Sequence, residues 1–592
     1  MNTAVIRMVA LMVLALSGPP TRVFAACKIG RLAELPVTMS GLRPLVSARI
    51  NGADALFIAD SGAFYSSITP AAAAQFKLKL GPAPFGFVLM GVGGEARTWL
   101  TVVKTFTIFD LPIPNVEFIV AGNDLEGAAG LLGQNVFRIA DVEYDLARGA
   151  IRLMRPHDCS KAMLAYWATS QPYSVVDIDA ATPRSPHATG VAYINGAKIR
   201  VLFDTGASTS VLTIAAAGRA GVKPGGAGVV DAGPMLGVGR KLMQTWIAPF
   251  ASFKIGDEEI RNTRLRIGDI GMGDADMLIG ADFFLSHRVY VATSQRKLYF
   301  TYNGGPVFNL ARAPPTHAGT GPAQEGASQP QEQADQPSDA AGFSRRGAAF
   351  TARRDYEHAI ADLTRACELA PDEPKYFYER GMARWGNKQA DLAGADFDQA
   401  LKLKLDDVDA LMARAQLRLQ GPDNSAAVTD LDAAGRVVAE QADRRLQIGY
   451  LYARAGLFAE AVAQYDKWIT AHDSDARVPD ARNARCWARA LWGQELDKAL
   501  ADCNAALKSR PDTAAFLDSR GLVRLRMGDL DKSVADYDAA LKLQPQNAWS
   551  LYGRGLAKVR KGLTSAGEAD IAAATAVQPR IEDEARKRGI AR

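Results

Sequence analysis

The chain has 592 residues with 69 Lys and Arg against 64 Asp and Glu, too long for one hydrophobic core and close to neutral overall. The basic residues are scattered, with no stripe of the kind that tracks a phosphate backbone, which excludes a nucleic-acid partner. No internal stretch approaches the eighteen or more apolar residues of a transmembrane helix.

Residues 1–25 read as a secretory signal: Arg7 precedes a short apolar run, and Val23 and Ala25 suit a small-residue cleavage site. The mature protein is therefore expected in the bacterial periplasm or cell envelope. Two readings of Cys27 stay open. It could receive lipid as a membrane anchor, or it could form a disulfide with Cys159 and clasp the first β-rich unit in an oxidising compartment.

The front half is a duplication. INGADALFIADSGAFYSSIT from Ile50 aligns with INGAKIRVLFDTGASTSVLT from Ile194, an offset of 144 residues. GVGG from Gly91 then matches GVGR from Gly237, Thr98 and Trp99 match Thr245 and Trp246, and LLGQNVF from Leu131 matches LIGADFF from Leu278. Alternating apolar residues punctuated by glycine predict two β-rich lobes, 27–156 and 174–305, joined by a connection over 157–173. Trp99 and Trp246, on strands, are expected to pack against their lobes.

In each copy an apolar strand delivers an Asp followed by Ser or Thr and then Gly: Asp60, Ser61, Gly62 and Asp204, Thr205, Gly206. One such triplet is weak evidence, since roughly 0.3 are expected by chance at ordinary composition. Two, each embedded in a matching unit, predict a pair of facing loops. Tight turns would explain each Asp separately but not the duplicated surroundings. Two adjacent carboxylates share one proton, so that one can activate a water while the other donates to a developing oxyanion. No metal or cofactor is required.

These motifs, with Ser66 and Ser210 six residues after each Asp, resemble retropepsin-like aspartic peptidases over almost the full length of both copies. The resemblance implies two small β-barrels with catalytic Asp60 and Asp204, loop support from Ser61, Gly62, Thr205 and Gly206, and flaps at Gly91, Val92, Gly93, Gly94 and at Gly237, Val238, Gly239. That family usually builds its site from a homodimer; here one chain supplies both carboxylates. The sequence departs from the family after the late glycine, with Gln134 and Asn135 in one copy and Ala281 and Asp282 in the other, which leaves lobe packing open.

Other sites fail on spacing. Asp269, Asp274 and Asp276 lack the terminal Glu of a calcium loop. His157, His187 and His287 have no paired spacing, and HExxH, GxSxG and CxxC are absent. No metal site is expected.

The segment 306–342, rich in Pro, Ala, Gly, Gln and Ser, predicts a disordered linker. Beyond it Gly347, Gly381, Ala415 and Gly449 recur at 34 residues, and Gly521 and Gly555 resume the register after an insertion. This resembles tetratricopeptide (TPR) repeats: about seven units over 343–579, with a terminal helix at 580–592. The fold class is thus two acid-protease β-barrels followed by an all-α solenoid. The expected function is an aspartic endopeptidase acting on polypeptide, with a protein partner or substrate on the concave TPR surface. The alternative is an inactive peptide-binding or scaffold protein acting through the repeats.

Overall fold

The computed structural model describes residues 27–308 and 337–590, apart from 85–86, 123–124, 126, 183–185, 238, 240–241, 272, 422–423 and 474. The signal segment 1–25 and most of the expected linker lie outside these residues.

Alternating burial explains the first lobe. Arg43–Ile50 and Ala53–Ala59 pair antiparallel, with Val46, Ala48, Ile50 and Phe57 turned to the core, and Trp99–Ile108 with Leu111–Val120 closes the barrel. The second lobe repeats the plan. Thr189–Ile194 pairs with Ala197–Phe203, and Leu242–Ile255 with Glu258–Gly268. In each lobe the strand before the Asp lies parallel to a short later strand, Gly130–Leu132 or Met277–Ile279, so the late glycine segment holds the Asp strand from the side.

The lobes are not two separate barrels meeting only at a cleft. They share one sheet. Its order is Ser174–Asp177, Lys297–Tyr302, His287–Ala292, Asp141–Asp145, Ala150–His157 and Lys28–Ser40, three strands from each lobe, with Glu143 opposite Tyr290 at the seam. Asp141–Asp145 and His287–Ala292 are buried throughout because the sheet is covered on both faces. One cover is the expected connection. Leu164, Ala165 and Ala168 pack against Tyr290 and Tyr299, so 157–173 is a packed layer of the fold.

Cys27 and Cys159 form a disulfide at the edge of this layer. That takes the sulfur a lipid anchor would need.

The back half contains, among the described residues, seven helix pairs from Ala340–Ala352 to Thr564–Val577, followed by Ile581–Lys587. The 34-residue glycines sit where a side chain of the second helix meets the first. A Cβ on Gly381 would stand 2.6 Å from Phe397 Cε1, and one on Gly449 would stand 2.6 Å from Tyr465 Cε1. Within most units an Arg of the first helix grips an Asp of the second sixteen residues on, as Arg346 does Asp362 and Arg554 does Asp570. The same register brings Cys486 and Cys503, on the two helices of one unit, into a second disulfide. Among the described residues no helix is long and apolar enough to cross a membrane.

Both described ends of the expected linker are packed. Phe308 lies edge-on to Phe253 with ring centroids 5.3 Å apart, and the helix from Ala340 is capped by Asp339, whose carboxylate accepts from Gly342 N at 2.8 Å. Ala348, Ala349 and Ala352 of that helix join the barrel core, and Arg345 lies over Gly149. The solenoid is therefore docked on the first lobe.

Candidate active site

Each Asp sits where an apolar strand ends in a turn, and each turn is fastened to the other lobe. Ser61 N donates to Thr205 Oγ1 at 3.0 Å, and Thr205 N donates to Ser61 Oγ at 3.0 Å. The two hydroxyls pass the bond on: Ser61 Oγ donates to the Phe203 carbonyl at 2.9 Å and Thr205 Oγ1 to the Ala59 carbonyl at 2.7 Å. A pair of reciprocal buried bonds fixes the loops relative to one another, because leaving any member unpaired would cost about 1–3 kcal/mol.

Glycine is required at the next position by contact distance. A Cβ on Gly62 would lie 2.2 Å from Asp204 Cγ, and one on Gly206 would lie 2.2 Å from Asp60 Cγ. Each carboxyl thus rests on the other lobe's glycine. Gly62 N and Ala63 N donate to Asp60 Oδ1 at 2.9 and 2.8 Å; Gly206 N and Ala207 N donate to Asp204 Oδ1 at 2.9 and 3.2 Å. The two carboxyls are close enough to act on each other's ionisation.

Burial pushes Asp60 well above the usual carboxylate range, and the Asp204 charge and hydrogen bond push it further. Asp204 is also raised by burial, but the bonds from Asp60, Gly206 and Ala207 oppose that. The dyad therefore shares a proton under conditions that ionise an ordinary carboxyl.

The glycine segments expected to be flaps meet one another. Leu89–Gly91 pairs with Gly94–Ala96, and Gly93 bridges to Gly239. A Cβ on Gly237 would stand 2.1 Å from Val92 Cγ2, and Val92 packs with Met235, Met243 and Ile270 of the second lobe. Val238 lies outside the described residues. Trp99 and Trp246 pack against the barrel core, Trp99 with Arg97 4.7 Å above its ring.

The unusual late segments do equivalent work. Asn135 Oδ1 accepts from Ser66 N at 2.7 Å and from Ser66 Oγ at 2.8 Å, while Asp282 Oδ1 accepts from Ser210 N at 2.9 Å and Ser210 Oγ at 2.7 Å. Gln134 adds a bond from Nε2 to the Ser61 carbonyl. Tyr144, buried between Phe137 and Phe284, lies beside the Ser61 hydroxyl. Sequence reasoning missed Tyr144 and His187, which lies beside Asp204. Among the described residues no cluster of three or more His, Cys, Asp or Glu is placed to hold a metal ion.

Burial pushes Asp282 from an ordinary 3.8 to about 6. A raised folded-state value means the protonated form favours folding, a contribution full below the unfolded value and lost as pH rises through about 6. Asp282→Asn, which copies the first lobe, is expected to raise stability by about 1–3 kcal/mol at pH 7 and to give no gain near pH 3. Urea unfolding at the two pH values checks this; equal gains at both would contradict it.

Residues 46–136 and 191–283 each match a family model described as aspartyl protease. The two lobes are retropepsin-like, aspartyl protease-like domains in fold. A model described as TPR repeat matches residues 521–562 behind these protease-like lobes. Among solved structures, the TPR array is similar to a tetratricopeptide repeat protein from Parabacteroides merdae at 17% identity, over 40% of this chain and 93% of that one, with a TM-score of 0.34. It is also similar to YrrB, described as a TPR protein with an unusual peptide-binding site, at 18% identity over 32% of this chain and 97% of that one, with a TM-score of 0.29. No curated protein matches the chain.

Proposed function

We propose that this chain is an exported aspartic endopeptidase that hydrolyses peptide bonds with a water activated between Asp60 and Asp204. The observation that carries the proposal is the closeness of the two carboxyls, each seated on the opposite lobe's glycine. Asp204, the less raised member, takes a proton from the water as it attacks the scissile carbonyl. Asp60 gives its proton to the carbonyl oxygen, and the protons return when the amine leaves. The closed flaps at Gly93 and Gly239 suit an extended polypeptide held beneath them.

Export is supported by the two disulfides, which persist in oxidising compartments. The repeats supply a surface for a protein partner or for the substrate itself.

Activity of the full chain on an unfolded protein is expected to trace a bell across an acid-to-neutral range. It falls in acid as Asp204 takes a proton, and falls toward alkali as the proton on Asp60 is lost. Because burial raises both groups, the maximum is expected above the ordinary carboxylate range. Peptide binding without cleavage at any pH in that range would instead make the lobes a binding module.

A further inference from the structure

The duplication is broken at one position beside the dyad. In the second lobe Thr189 lies opposite Leu202, and Phe203 N donates to the Ala188 carbonyl at 3.0 Å. The same register carried one residue further places His187 next to Asp204. Its ring stands edge-on to Phe64 of the first lobe, with centroids 6.1 Å apart and planes at 78°, and it lies against the Ser61 backbone. Nδ1 is buried with no hydrogen-bond partner in the protein.

At the offset of 144 residues the first lobe has Arg43. Leu45 lies opposite Ile58, so Arg43 has the same register relative to Asp60. Its guanidinium turns elsewhere, with Nη1 donating to the Leu125 carbonyl at 3.3 Å. The groups that act on Asp60 are Asp204 and the Gly62 and Ala63 amides; those that act on Asp204 include His187. One carboxyl has an imidazole neighbour and the other does not.

We infer that His187 is a positioning residue of the dyad, holding the shared proton on Asp60 and leaving Asp204 as the carboxylate that activates the water. The inference rests on the endopeptidase reading. A positive charge or N–H dipole beside a carboxyl favours its ionised form. His187 transfers no proton to substrate. The water proton goes to Asp204 and the Asp60 proton goes to the carbonyl oxygen.

Burial lowers the imidazole's own affinity for protons, and Asp204 opposes this. The ring is therefore neutral near pH 7 and charged in acid. Charging it there keeps Asp204 ionised to lower pH, which extends activity on the acid side. Asp204 is the charged group that acts on the ring; Ser61 and Phe64 face it from the other lobe without charge.

The test is an NMR titration of the His187 ring in the full chain, as wild type, Asp204→Asn and Asp60→Asn. Its midpoint is expected to fall in Asp204→Asn and not in Asp60→Asn. Equal displacement in both variants, or none in either, overturns the inference. This arm needs no turnover, so it stands apart from failure of the peptidase reading, which total absence of cleavage by the wild type would signal. In an active enzyme, His187→Phe is expected to lower kcat/KM by about tenfold on the acid limb, with a loss that shrinks toward neutral pH. A loss of the same size at every pH would mark a merely structural role and overturn the inference.

Discussion

Asp204→Asn is expected to lower kcat for peptide hydrolysis by at least about a thousandfold while leaving peptide affinity within about threefold, given that positioned acid–base catalysis contributes 10²–10⁴ and that both halves of the dyad act together. The substitution keeps the shape of the site. Asn Oδ1 can still accept from Gly206 N and Ala207 N, now at 2.9 and 3.2 Å, and its amide occupies the same space over Gly62. What it loses is the capacity to take a proton from the attacking water. Replacing a buried carboxylate by a neutral amide does not weaken the fold, so a loss of activity cannot be assigned to unfolding. Single-turnover cleavage and equilibrium peptide binding, measured on one preparation with its unfolding curve, separate these effects. Retention of a tenth of wild-type activity would remove Asp204 from the mechanism.

The largest expected loss of stability comes from Arg288→Met, about 3–5 kcal/mol, the usual cost of removing one partner from a buried ion pair. Arg288 enters the shared sheet from the second lobe. Its Nε and Nη2 donate to Glu143 Oε1 of the first lobe at 3.0 and 2.8 Å, and Trp167 lies 4.4 Å beneath the guanidinium. Asp145 is 3.6 Å from Nε, and only Arg152, together with Arg148 at 3.5 Å from Asp145 Oδ1, would remain to offset two fully buried carboxylates. Glu143 Oε2 already has no hydrogen-bond partner in the protein. Adding Glu143→Gln to Arg288→Met is expected to recover part of the loss, because it removes the stranded charge. A loss under about 1 kcal/mol in urea unfolding would mean that the seam is held by its apolar contacts alone. The damage should also reach the dyad, since Tyr144, next to Glu143, pairs with Val289 and lies beside Ser61.

The duplication made the dyad, the flaps and the repeats legible because each is written twice or more in register. Asp60 and Asp204 stand in matching strings, and Gly347 and Gly381 recur at a fixed step. The shared sheet was not legible for a physical reason. Its seam joins Val142 to Val291, far apart in sequence, and Glu143, Asp145 and Arg288 look like surface residues until their partners are known. His187 escaped because its nearness to Asp204 comes from strand pairing across a loop, which no linear spacing reports. The second disulfide was within reach. Cys486 and Cys503 are 17 residues apart, the same separation as Arg485 and Asp502 in that unit, so laying the repeat register over the cysteines would have paired them.

The helix Ala340–Ala352, seated on the first lobe through Ala348, Ala349 and Ala352, gives the solenoid a fixed end-stop. A stack of repeats frays from whichever terminus lacks a neighbour, and at this terminus the barrel is the neighbour. Melting should then start near Ile581–Lys587 and run toward the protease-like lobes. Because that helix packs on the lobe that carries Asp60, loosening of the first repeat would be felt in that lobe before any other part of the front half.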